Sequence, residues 1–466
     1  MFTPLLILPF NSSEIRHIWN FLVPGTIQNL AGLLLWRLFG RKTDDSISLH
    51  EGGVIVIVSW IIVLIVSAIP FLTISQLGFS GSVFESVSGW TTTGLSVLDV
   101  SKAAKMILLW RSIIQFAGGA GLAIIMMSSI ISPAGVAISS AEGRGDQLVP
   151  HVRQSARLVL IIYLSYAFLG ILLYKLTGMN LFDAVNHSFT AVSTGGFSTK
   201  ISSIGYWNSI PIESVTILLM ILGSTSFLTA WMLLRGKFRA VINNGEIRIL
   251  SIIIPLSIVT LFVFTCKPIY LQLSKALRVG FFESLAAITT TGFSTVTYTD
   301  WNSYGFMLLI ILMLMGGGIF STAGGIKQFR IYLLWKLAKW EIKRNIMPKY
   351  TVLECSIWEG ERQVFLDNRR IRQVGLFISL YISTYLLGSL ILCANGFSLN
   401  DSLFEFASAI GTVGLSVGVT SLNMPVMALW AEIIAMFLGR LEFVVIIVSF
   451  YKILKDSRCM LSRTEN

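Results

Sequence analysis

Long apolar runs dominate the chain. They fall near residues 53–73, 104–131, 157–177, 209–234, 249–272, 304–335, 372–394 and 424–454, with a further one at 20–39. Each is long enough to cross a bilayer, which takes about 20 apolar residues as a helix. Taking the first eight in pairs, a shorter stretch rich in Ser, Thr and Gly lies between the members of each pair. Those stretches are too short and too polar to span. They predict re-entrant segments, tolerated at membrane depth only where protein or a water-filled passage surrounds them.

The re-entrant stretches align with one another: FESVSGWTTTGLS (84–96), HSFTAVSTGGFS (187–198), FESLAAITTTGFS (282–294) and FEFASAIGTVGLS (404–416). One glycine recurs in all four, as Gly94, Gly196, Gly292 and Gly414. Two places before it stand Thr92, Thr194, Thr290 and Thr412; one place before, Thr93, Gly195, Thr291 and Val413; two places after, Ser96, Ser198, Ser294 and Ser416. The repeat unit is therefore helix, re-entrant loop, helix. This predicts an all-α polytopic membrane protein with four tandem repeats around a pseudo-fourfold pore. The expected divisions are an N-terminal segment at 1–49, then repeats at 50–135, 136–236, 237–345 and 346–466, the last with a cytoplasmic tail.

Composition supports this reading. Only 13% of the 466 residues are charged, against 54% hydrophobic, too few charges to cover a soluble globule that normally has about 25%. The net charge of +11 is assigned to loops that stay in the cytoplasm, with no nucleic acid partner expected. Arg41, Lys42, Arg153, Arg235, Lys237, Arg239, Lys343, Arg344, Arg369, Arg370, Lys452 and Arg458 lie in segments before or after the paired spans. Every unit is thus expected to begin and end in the cytoplasm, with its re-entrant loop opening outward. Cys266, Cys355, Cys393 and Cys459 show no metal or redox spacing.

Chemically, four Thr-x-Gly strands around one axis supply rings of carbonyl oxygens that replace the hydration shell of a monovalent cation. Glycine leaves the lumen open and permits backbone angles that turn its carbonyl inward. The run before each glycine reads as a short pore helix whose C-terminal, negative end favours a cation. Ser82-x-x-Glu85 and Ser402-x-x-Glu405 are expected to be capping boxes at its start, with Gly280-x-x-Glu283 a weaker form and Asn180-x-x-Asp183 one turn earlier in the second repeat. Direct contact of these glutamates with the ion is the alternative.

The second helix of each unit carries Gly118-Gly119, Gly223-Ser224, Gly316-Gly317 or Gly439-Arg440, suited to a bend or close packing. Arg440 is the exception in character. An unpaired arginine at mid-bilayer costs at least about 2.5–3.5 kcal/mol, so it is expected to face the pore as an electrostatic barrier, with a salt bridge to Glu442 or Glu432 as the alternative. In the third repeat, GGGIFSTAGGIK (316–327) places Gly316, Gly317, Gly318, Ser321, Thr322, Gly324 and Gly325 in an apolar span. That predicts a mid-membrane helix break serving as a gate. Gly414-Leu415-Ser416-Val417-Gly418 matches a nucleophile elbow, but the repeat register already accounts for Ser416. The chain has no Walker A sequence either, and no enzyme is expected.

These loops, the glycine-rich break and the Gly-Arg pair resemble the superfamily of Trk, Ktr and HKT potassium transporters, over residues 24–455. LFDAVNHSFTAVSTGGFST with SIGYW (181–207), and WRSIIQFAGGAGLAII (110–125), are more similar to the TrkH branch than to KtrB. The resemblance implies potassium uptake as transported ligand, a homodimer with one pore per protomer, the bacterial inner membrane, and a cytosolic nucleotide-binding regulatory subunit of the TrkA kind, with no nucleotide site in this chain. It also implies potassium at the twelve Thr-x-Gly positions. Against the TrkH pattern a shortened or differently built N-terminus is expected, and Ile319, Phe320 and Ala323 depart from that pattern in the glycine-rich break. A sodium-dependent or sodium-conducting Ktr- or HKT-like transporter is the competing reading. Gly94 favours potassium, because serine there accompanies sodium transport in some plant members.

Overall fold

The computed structural model describes residues 1–39, 49–121, 152–348, 354–359, 362–441 and 443–464. Helix Trp19–Phe39 precedes the repeats and follows two short turns, Thr3–Ile7 and Ser12–His17. Each repeat then supplies an outer helix, a pore helix and an inner helix. The outer helices are Leu49–Ile74, Val152–Leu176, Gly245–Ile269 and Asn368–Ala394. The four are long and apolar enough to cross a membrane. Their outward faces are apolar, with Ile61, Ile62, Ile65, Phe168, Leu172, Leu256 and Leu387 exposed, the pattern of a chain that meets lipid rather than water.

The pore helices are Phe79–Trp90, Leu181–Val192, Leu273–Ile288 and Leu399–Ile410. They are buried among the others and amphipathic in an inverted sense, carrying Ser, Thr and Glu inward. Ten residues before the recurrent glycine, Phe84, Phe282 and Phe404 are fully buried, and Phe404 packs on Phe306 and Tyr298.

The inner helices begin at Lys105–Ala120, Ile210–Ser224, Ser303–Leu314 and Val426–Arg440. Each packs on the pore helix of the following repeat, and the fourth packs on the pore helix of the first. The cycle closes, as the repeat register predicts. The inner spans are not continuous helices, however. Ile210–Ser224 meets Phe227–Leu234 at 105°, and Val426–Arg440 meets the helix starting at Phe443 at 106°. The third breaks between Leu314 and Gln328. The breaks fall at or just after the small-residue pairs. Gly118, Gly223 and Gly439 also press against backbone carbonyls of Trp90, Val192 and Ile410, where an added Cβ would overlap oxygen. The helix breaks at the pairs of the second, third and fourth repeats, and the backbone packs closely at Gly118, Gly223 and Gly439. The inner half of the first inner span, residues 122–131, and the expected boundary at 135/136 lie outside the described residues.

One element was not expected. Strands Ser356–Glu359 and Arg362–Phe365 pair as an antiparallel hairpin between the third and fourth repeats, a small departure from an all-α chain.

Candidate functional site

Every pore helix ends in the same way. Thr92 N donates to Gly89 O at 3.0 Å and Thr93 N to Ser88 O at 2.9 Å. The same pair of bonds recurs at Thr194 and Gly195, at Thr290 and Thr291, and at Thr412 and Val413. This is a Schellman terminus, in which the left-handed residue is usually glycine. Here it is threonine each time, with φ of 58°, 53°, 52° and 50° at Thr92, Thr194, Thr290 and Thr412. A β-branched residue in that region costs of order 1–3 kcal/mol. Fourfold use of the strained option points to a purpose for the hydroxyls. Those of Thr194 and Thr290 meet the loop below: Thr194 Oγ1 lies 3.0 Å from Thr322 Oγ1, and Thr290 Oγ1 accepts from Gly324 N at 3.0 Å. The buried hydroxyls of Thr92 and Thr412 have no protein partner among the described residues.

Two residues on, Gly94, Gly196, Gly292 and Gly414 have φ of 95°, 71°, 76° and 101°, a region that L side chains rarely enter. Space forbids a side chain there as well. A Cβ on Gly94 would overlap the carbonyl of Gly195, one on Gly196 that of Thr291, one on Gly292 that of Val413, and one on Gly414 that of Thr93. The four strands thus form one ring, each glycine seated against the carbonyl of another repeat. An outer vestibule of about 670 Å³ opens above, lined by all four glycines with Ser96, Asp99, Lys200 and Thr297.

Directly beneath lies the glycine-rich break. Gly316 N donates to Ile326 O at 2.8 Å and Ile326 N to Leu314 O at 3.0 Å, so the loop leaves and rejoins the helix through a pinched neck. Thr322 Oγ1 donates to Gly223 O at 2.9 Å, and Gly318 N donates to Ser224 O at 3.0 Å, attaching the loop to the bend of the second repeat. Its far end reaches Thr412, against which a Cβ on Gly324 would collide. Arg440 holds the same loop from the opposite side, donating to Thr322 O at 2.6 Å and to Gly118 O at 2.6 Å.

The TrkH family, described as a cation transport protein, matches residues 18–461. The chain belongs to this TrkH family. An uncharacterized cation transporter of Methanocaldococcus jannaschii is 33% identical over 436 residues, 92% of this chain and 88% of that one. The Trk system potassium uptake protein TrkG of Escherichia coli is 32% identical over 425 residues, 88% of this chain and 86% of its own length. The crystal structure of the potassium transporter TrkH from Vibrio parahaemolyticus superposes with a TM-score of 0.83 at 26% identity, covering 96% of this chain and 94% of that one. Within this TrkH-family fold, the chain is a multi-pass membrane protein.

One expectation about side chains is corrected. Glu85, Glu283 and Glu405 do not cap their helices, which begin earlier, after Gly78, Gln272 and Ser398. The helix starting at Leu399 is instead capped by Ser398, which accepts from Asp401 N; Asn180 caps the second through Asp183 N as expected. The glutamates, fully buried, accept from the strand beyond the glycine. Glu85 Oε1 takes Ser96 Oγ at 2.6 Å and Val97 N at 2.8 Å. Glu405 takes Ser416 Oγ at 2.6 Å, and Glu283 takes Thr295 N at 2.8 Å and Tyr298 Oη at 2.6 Å. They therefore brace the outer return of the ring. His187 occupies the matching place in the second repeat, bonding Ser198 Oγ at 2.9 Å.

Of the two carboxylates expected as alternatives for Arg440, one is engaged elsewhere: Glu432 bonds Thr420 at 3.1 Å. The other, Glu442, lies outside the described residues. The two carbonyls named above fix the guanidinium, which is half-buried.

Two polar residues of the first inner helix were missed as site residues. Arg111, buried, pairs with Glu85 at 3.1 Å and lies 3.8 Å above the ring of Phe197, joining the outer returns of repeats one and two. Gln115 reaches the second strand itself, donating to Gly195 O at 2.6 Å. An arginine and a glutamine within LLWRSIIQF were the available signal.

Proposed function

We propose that this protein takes up potassium across the inner membrane through the four Thr-x-Gly strands, acting as the membrane subunit of a Trk-type system. The observation that carries the proposal is the closed cycle in which each glycine abuts a carbonyl of another repeat. A ring of backbone oxygens is the chemistry that strips water from a monovalent cation. The buried, unpartnered hydroxyls of Thr92 and Thr412 add two oxygen ligands at the inner end of the ring. Potassium uptake is what the names of TrkG and TrkH relatives state of those proteins.

Residues 316–325 and Arg440 act as the gate in this reading. The loop lies under the strands, and Arg440 sets its guanidinium charge against Thr322 O of that loop. Opening requires the contacts of Thr322 with Gly223 and Arg440 to part. The protein works as a homodimer, one pore in each protomer, and a cytosolic nucleotide-binding subunit of the TrkA kind controls the gate from the basic surface at 336–372. Reconstituted protein should pass potassium in preference to sodium. Equal sodium flux would favour the Ktr- or HKT-like reading.

A further inference from the structure

We infer that Gln115 is a positioning residue for the second Thr-x-Gly strand, its amide replacing the side chain that Gly195 lacks. The inference rests on the pore reading above and extends it. One place before the recurrent glycine, repeats one and three carry Thr93 and Thr291, both fully buried. Their hydroxyls pair with those of Thr91 at 2.7 Å and Thr289 at 2.9 Å. Repeat four has Val413, also fully buried. In these repeats the strand carries its own side chain into the surrounding helices. Repeat two has glycine there and so no side chain of its own at that place.

Gln115 occupies the gap. A Cβ on Gly195 would come within 2.8 Å of its Nε2, so the amide fills the volume a threonine would take. It also supplies the bonding. Nε2 donates to Gly195 O at 2.6 Å and Oε1 accepts from Phe197 N at 3.1 Å, so one amide grips the backbone on both sides of Gly196. A primary amide carries an uncharged donor and an acceptor on two separate atoms of one planar group, which suits two backbone partners at once. Gln115 comes from the inner helix of repeat one, and Gly195 O is the carbonyl that Gly94 of repeat one abuts. The first repeat thereby fixes one of the four oxygens of the ring from two directions.

Gly195 itself is not in the left-handed region, so its backbone accepts a side chain once the amide is gone. That permits a swap. Gln115→Ala leaves a buried N–H of Phe197 unpaired and empties the space beside the strand. The potassium-to-sodium flux ratio in proteoliposomes should fall about tenfold, the scale set by one lost buried hydrogen bond. Gly195→Thr alone collides with the amide and should also lower it. Gln115→Ala combined with Gly195→Thr should recover most of the ratio. The introduced side chain fills the space and finds the Ser193 hydroxyl two residues earlier, as Thr93 finds Thr91. Gln115→Glu, of the same size, keeps the acceptor but sets a carboxylate against the Gly195 carbonyl. It should lower the ratio even where the alanine variant does not fold. A merely structural role in helix packing would not give recovery from the swap.

A parental ratio in Gln115→Ala or in Gln115→Glu overturns the assignment, as does a double variant no better than Gln115→Ala. Gly94→Ser measured in parallel separates the two levels. A lowered ratio there with a parental ratio at Gln115 overturns only the Gln115 assignment. Parental ratios in both overturn the pore reading.

Discussion

Gly414 sits directly against the carbonyl oxygen of Thr93, leaving no room for a Cβ between the last repeat and the first. The two residues are 321 positions apart in the chain, so the contact reports closure of the whole ring and not local folding. Gly414→Ala introduces a methyl group where an oxygen already lies, on a backbone with φ of 101°. The local strand must move. The potassium-to-sodium flux ratio should drop by about tenfold, equivalent to about 1.4 kcal/mol of lost discrimination. Isotope flux in vesicles measures it.

The left-handed threonines make an opposite prediction for stability and function. Replacing Thr412 by glycine relieves the φ of 50° and should stabilise the fold by about 1 kcal/mol, seen as a higher melting temperature in detergent. The same change removes a buried hydroxyl from the inner end of the ring and should weaken the apparent affinity for potassium. A variant with lower stability and unchanged affinity would contradict this division of roles.

Arg440 bonds the loop at Thr322 O and the first inner helix at Gly118 O. Removing the guanidinium frees both carbonyls and takes away the positive charge beneath the ring, so Arg440→Ala should raise cation flux several-fold. Deleting 318–323 should raise it further or make it independent of the regulatory subunit. Flux in Arg440→Ala no higher than in the parent, with the protein well expressed and dimeric, would make the arginine structural only.

Much of this was legible in the sequence because the repeats share a register. A glycine that recurs four times with threonine two places before it has few explanations, and the structure gives each copy the same backbone. The role of Glu85, Glu283 and Glu405 was less legible. Serine three places before two of these glutamates imitates a capping box, but the helices start a turn earlier and the carboxylates turn to the far side of the ring. What decides this is the return path of the strand, which spacing alone does not reveal. His187 at the equivalent place was the clue, since a histidine there serves the serine two places after Gly196 and not a helix end. The inner-helix breaks were half legible: small pairs permitted a bend, yet their angles depend on the loop that fills the space beneath the ring. Gln115 was hidden because its partner is a glycine in another repeat.

The basic segment at 336–372 carries the next expectation. Nine basic residues lie in 336–372; several rest on aromatic rings, with Lys339 3.7 Å from Trp335 and Arg370 5.0 Å from Phe329. Reversing the charge of Lys339, Lys343, Arg344, Arg369 and Arg370 should weaken co-purification with a nucleotide-binding ring of the TrkA kind by at least tenfold, about 1.4 kcal/mol. Retention of the complex would place the docking surface elsewhere, with 135–157 and 235–248 the next segments to test.

The central claim is that the cyclic contacts of Gly94, Gly196, Gly292 and Gly414 set selectivity for potassium. The most direct measurement compares potassium and sodium flux through purified protein in proteoliposomes, parent beside Gly94→Ser. The account predicts that the parent favours potassium and that the serine variant loses most of that preference while remaining folded. A parent that passes both ions equally, or a folded Gly94→Ser variant with the parental ratio, would contradict it.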